Sequence, residues 1–121
     1  MSIEPRTVTL TILVTKQLEV AEPAWCTDPH RKASFKTDIT HNGPEITGAL
    51  TTDRGTFHYL TAWLTQAPHS EIHPLVAIEL GSGTVELDPD DVRAFTDGVR
   101  RHLNRLDALA AECERLRGEG Q

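Results

Sequence analysis

The hydrophobic period of this chain changes at residue 88. Ahead of that point apolar residues alternate at every second position; beyond it they recur at spacings of three and four. A strand turns successive side chains to opposite faces, whereas a helix repeats after about 3.6 residues, so the two patterns belong to different elements. The junction itself reads Leu87-Asp88-Pro89-Asp90-Asp91. Asp88 is placed to cap a helix, Pro89 suits its first position, and the two carboxylates that follow sit at the positive end of the dipole. A helix is therefore predicted over 89–117, with Arg115 and Arg117 in its last turn and Gly118 as its stop.

Within that helix Val92, Val99, Leu106 and Cys113 form one row, and Phe95, His102, Leu109 and Leu116 the other, a heptad seam interrupted at His102. At roughly 1.5 Å per residue it extends about 43 Å, longer than strands of five to nine residues, so it should overhang the sheet it packs on. An overhang carrying Leu109 and Leu116 calls for a second copy or another protein to cover it. The competing reading is that the last turns fray or fold back.

The strand-rich part spans 7–87. TVTLTILVT over 7–15 places Val8, Leu10, Ile12 and Val14 on one face; FKTDITH over 35–41 places Phe35, Thr37, Ile39 and His41 together; EITGALT follows Asn42-Gly43, a pair that favours a two-residue hairpin turn. FHYLTAWLT over 57–65 is apolar on both faces, which suits a central strand covered on both sides or one that faces a partner. LVAIEL and TVEL flank the turn Gly81-Ser82-Gly83. Together these predict an α+β domain occupying 1–121: an antiparallel, twisted sheet of five or six strands with one long C-terminal helix packed on it.

Between the first two strands, 21–34 carries prolines at 23 and 29 and no apolar period, so it reads as a long loop, a kind of segment that often carries function. It contains Trp25, Cys26 and His30. Thiolate and imidazole are soft or borderline donors suited to zinc, and Cys26, His30 and the inward-pointing His41 are spaced so that a turn and an adjacent strand can aim them at one point. A fourth ligand could be Asp28, Asp38, His58, His69, His73 or solvent. The same residues also fit a packing role, with Trp25 anchoring the loop and Cys26 as a small hydrophobe. A Cys26 nucleophile would need a lowered thiol pKa, and the flanking prolines leave it no helix terminus to supply one.

The chain has 121 residues and a net charge of -6, which opposes a primary role in gripping a phosphate backbone; the arginines at 93, 100, 101 and 105 are interspersed with acids and fit a solvated helix face. No stretch approaches the roughly 20 apolar residues that would span a bilayer. MSIEPRTVTL lacks the features of a signal peptide, so a cytoplasmic setting with both cysteines reduced is expected rather than a Cys26–Cys113 disulfide. No glycine-rich phosphate loop or paired catalytic carboxylates stand out.

These segments resemble a family of small actinobacterial proteins of unknown function. The resemblance rests on Pro23-Ala24-Trp25-Cys26 followed by His30, on Asp38-Ile39-Thr40-His41-Asn42-Gly43-Pro44, and on Leu87-Asp88-Pro89, and it covers nearly the whole chain. It implies that Cys26, His30 and His41 act together, and implies no reaction. The expected function is an accessory or regulatory protein-binding module, more a binder than an enzyme, homodimeric or partnered through its helix, with a structural zinc site at Cys26, His30 and His41 beside Trp25 and Asp38. The alternatives are a small metal-dependent, hydrolase-like enzyme with an open coordination position, and a nucleic-acid-associated regulator.

Overall fold

The structure, a computed structural model, describes residues 7–10, 17, 20–30, 39–68 and 72–120. Its elements in chain order are β1 (His41–Asn42), β2 (Ile46–Thr52), β3 (Gly55–Gln66), β4 (Leu75–Leu80), β5 (Gly83–Leu87) and α1 (Pro89–Glu119). All pairings are antiparallel, in a five-stranded open sheet that bears out the expected α+β class.

β3 is the spine. One of its edges pairs with β4 from Ala62↔Ile78 to Thr65↔Leu75, and β4 pairs in turn with β5. The other edge is shared: His41↔Gln66 and Asn42↔Thr65 belong to β1, while Ile46↔Ala62 through Thr52↔Gly55 belong to β2. The expected hairpin at Asn42-Gly43 is thus absent. The chain runs straight on, with the Gly43 amide donating to the Leu64 carbonyl at 2.8 Å, and the reversal comes instead at the turn Thr52-Asp53-Arg54-Gly55, which the polar and glycine residues there predict. Gly43 serves close approach rather than turning: a Cβ there would stand 3.1 Å from the Trp25 carbonyl oxygen and 3.4 Å from its ring. Pro44 has no N–H to give the ladder, which accounts for the break between β1 and β2.

Between Ile46↔Ala62 and Gly48↔Tyr59, Thr47 alone faces both Leu60 and Thr61, a β-bulge. Leu60 takes up the extra length at φ 51°, a left-handed conformation that is costly for a side chain with a Cβ.

The core described is small: Ala62, Ala77 and Ile78 are its buried apolar residues, with Thr65 and His41 the buried polar ones. β3 is central, as its composition suggested, but Phe57 and Tyr59 are each 54% exposed, so its first half is not covered among the described residues. The helix begins as predicted, with the Asp91 amide donating to Oδ1 of Asp88 at 2.8 Å. Its end differs, because Gly118 stays helical and the Gly120 amide closes the last turn onto the Leu116 carbonyl. A helical glycine costs only about 1 kcal/mol relative to alanine, which neighbouring turns absorb.

α1 touches β4 and β5 and no other strand among the described residues. Val92, Phe95, Thr96, Gly98 and Val99 are half-buried, whereas every described residue from Arg100 onward is exposed. Among the described residues the helix therefore overhangs the sheet, as its length predicts. Residues 7–10 are exposed and outside any strand, and the remainder of the strand expected over 7–15 lies outside the described residues. Of the strand expected over 35–41, residues 35–38 lie outside them too; Ile39 and Thr40 are not in the ladder, and only His41 joins it.

Candidate metal centre

The loop over 20–30 is folded by its own backbone and by β1. The Cys26 amide donates to the Pro23 carbonyl at 3.0 Å, closing a turn around Ala24-Trp25, and the Thr27 amide donates to the Asn42 carbonyl at 2.9 Å, which fastens that turn to the sheet. Asp28 performs two tasks. Its Oδ1 accepts from the His30 amide at 2.8 Å, an Asx turn, and its Oδ2 accepts from Nδ2 of Asn42 at 2.8 Å. The turn holds His30 at φ 57°, a strained position that aims its ring back across the loop.

Four side chains meet there: Glu22, Cys26, His30 and His41, each offering one donor atom, all within 4.8 Å of one another. Cys26 Sγ lies 3.6 Å from Nε2 of His30, and that nitrogen lies 2.6 Å from Oε1 of Glu22. A tetrahedral zinc with bonds of about 2.0–2.3 Å spaces its donors roughly 3.3–3.8 Å apart, so the cluster needs small side-chain adjustments to receive one. His41 forms the inner wall. It is 3% exposed, its Nδ1 has no hydrogen-bond partner, and its ring stands edge-on to His30 at 5.4 Å and to Trp25 at 6.4 Å. A buried imidazole nitrogen without a partner carries a desolvation penalty that a metal ligand does not.

The ionisable groups respond to one another. Hydrogen bonds from Cys26 and from His30 hold the Glu22 carboxyl below its ordinary pKa, and bonds from Asn42 and the His30 amide do the same for Asp28. Burial, with Glu22 nearby, pushes the Cys26 thiol up. In the metal-free state Cys26 is therefore a thiol near neutral pH. A nucleophilic cysteine needs the opposite shift, so this geometry lends that reading no support.

The structure brings Cys26, His30 and His41 together, with Trp25 packed against His41. Among the weighed fourth ligands, Asp28 is a brace for the loop rather than a donor, and His58 sits on the exposed part of β3 opposite Ala49. Asp38 and His69 lie outside the described residues. The fourth member, Glu22, was missed. Its signal was its spacing: Glu22, Cys26 and His30 succeed one another with three residues between each pair. Leu109 and Leu116 are 66% and 53% exposed on the helix overhang. Of the arginines considered for nucleic acid, Arg93 and Arg100 are engaged by Asp90 and Asp97 at 3.0 Å each. No helix among the described residues is long and apolar enough to cross a membrane.

No curated protein and no solved structure matches the chain. Residues 7–115, which take in the loop, the sheet and most of the helix, match a family described as a domain of unknown function, and the chain accordingly belongs to that DUF6907 family.

Proposed function

We propose that this protein is a metal-pinned interaction module in which Glu22, Cys26, His30 and His41 hold one zinc ion that fixes the 20–30 loop onto the end of the sheet. The observation that carries the proposal is the convergence of four donors around a buried imidazole whose Nδ1 has no partner. A mixed thiolate, imidazole and carboxylate set matches the borderline character of zinc. With four donors from the chain the ion has no vacant position for water, which favours a structural role: binding energy at the ion becomes folding energy for a loop otherwise held by a few hydrogen bonds. A reducing compartment such as the cytoplasm suits this chemistry, because Cys26 must stay unoxidised to bind. The exposed helix then supplies the interaction surface.

The hydrolase-like alternative draws on one feature, the exposed position of Glu22 with 47% of its side chain accessible. If Glu22 swings away, water takes its place on the ion and the carboxylate becomes a base. The paired state of Arg93 and Arg100 weighs against a nucleic-acid regulator.

Elemental analysis of untagged protein prepared without added metal, beside Cys26→Ala and His41→Ala, tests the proposal. About one zinc per chain is expected, lost from both variants together with thermal stability. Metal-free wild-type protein that also fails to bind added zinc removes it.

A further inference from the structure

The helix overhang presents an apolar seam that nothing among the described residues covers. Leu103, Leu106, Leu109 and Leu116 are 49%, 47%, 66% and 53% exposed, on a stretch from Arg100 to Glu119 about 30 Å long. The seam is the continuation of the face that Val92, Phe95 and Val99 turn toward β4 and β5. Apolar spacing and charge together restrict what fits it.

We propose that the occupant is the same stretch of a second copy of this chain, packed antiparallel. Setting Leu106 of one copy against Leu109 of the other makes two symmetric central layers, because the contact recurs with the roles exchanged. In this register His102 faces Cys113 of the second copy, and Val99 faces its Leu116. The outer flanks follow from the same register. On one side Arg105 meets Glu112 of the second copy, twice by symmetry; on the other Leu103 meets Ala110, also twice. Arg105 has no ion-pair partner within its own chain among the described residues, whereas both carboxylate oxygens of Glu112 accept from Arg115, which Arg105 of the second copy would have to share or displace.

Length agrees with charge. The paired stretch ends where Leu116 of one copy reaches Val99 of the other, which is the point at which the helix leaves its own sheet. Each sheet is then at an opposite end of the pair, and the two helix dipoles oppose. A parallel pair would place both sheets at one end and set Arg105 against Ala110, although it would also bring Glu112 beside Arg117, so crosslinking decides the orientation. The inference does not depend on the metal site.

The test uses the full-length protein. Light scattering after gel filtration is expected to report twice the 13.4 kDa chain mass. Arg105→Glu and Glu112→Arg singly should each raise the dimer dissociation constant by about tenfold, and the double exchange should recover most of that loss. For orientation, His102→Cys is oxidised and run on a non-reducing gel. A covalent dimer that disappears in His102→Cys/Cys113→Ser supports the antiparallel register. Wild-type protein that crosslinks through Cys113 alone indicates a parallel pair and overturns it. A monomeric wild-type chain with normal helical circular dichroism overturns it as well.

Discussion

Nδ2 of Asn42 donates to Oδ2 of Asp28 at 2.8 Å, joining the loop that carries Cys26 and His30 to the strand that carries His41. The rest of the same side chain is committed to the sheet, its Oδ1 accepting from Nε1 of Trp63 at 3.1 Å and from Oγ1 of Thr65 at 2.9 Å. Asn42 thus holds the two halves of the donor cluster in register although it contributes no donor itself. The neighbouring backbone bond, from the Thr27 amide to the Asn42 carbonyl, makes the same connection by a second route.

Asn42→Ala should therefore act on both stability and metal affinity. It strands an indole N–H, a half-buried carboxylate oxygen and a threonine hydroxyl, for a loss of roughly 2–3 kcal/mol in urea denaturation. Zinc affinity should fall by about 10–100-fold, the range seen when groups that orient metal ligands are removed. Loss of stability with unchanged affinity in a chelator competition would show that Asn42 has no part in organising the donors.

Glu22→Gln removes a charge from the exposed rim of the cluster. The metal-free protein should lose only a little stability, through the weakened bonds from Cys26 and His30, while zinc binding, followed by competition with a colorimetric chelator, should weaken by about tenfold or more. His58→Ala is the control, because His58 lies on the exposed part of β3 and outside the donor group. Equal effects from the two changes would contradict the assignment of Glu22.

Leu60 stores backbone strain at the bulge. Leu60→Gly relieves a left-handed conformation that costs about 1–2 kcal/mol but gives up a side chain that is only 38% exposed, so the two roughly offset and its denaturation midpoint should lie close to that of the wild type. Leu60→Ile adds a β-branch at the same φ and should destabilise by about 1 kcal/mol or more. A reversed order of the two variants would argue against the bulge.

Asp88→Ala should cost about 1 kcal/mol through loss of the cap on the Asp91 amide, and Asp88→Ser should retain most of it. Circular dichroism and thermal unfolding of the two variants measure the difference. Because the first turns pack on β4 and β5, the effect should appear in global stability and not only as fraying.

The residue types and their spacing identified the helix, the strands β2 to β5 and three of the four side chains that the structure brings together. The helix start was legible because capping is a local matter: Asp88, Pro89 and the carboxylates of the first turn act within a few residues of one another. β4 and β5 were legible because Gly81, at φ 60°, marks their turn and the alternation on either side is regular. Asn42-Gly43 misled for a corresponding reason. That pair permits a hairpin without compelling one, and here Trp25 packed over Gly43 and the bond from Gly43 to Leu64 keep the chain extended.

Glu22 shows where local reading stops. An exposed acid beside a proline reads as a solvated one, and its even spacing from Cys26 and His30 is only a weak signal; its carboxylate reaches His30 because the turn at residues 23–26 and the Asx turn at Asp28 bring it there. Periodicity and capping are properties of neighbouring residues, so they are written into the chain order and decided the elements. Which elements share an edge of β3, and which side chains converge, depends on contacts between residues distant in the chain. Those contacts exist only once the sheet has formed, and it was the tertiary structure that assembled Glu22, Cys26, His30 and His41 and left the helix beyond Arg100 exposed among the described residues.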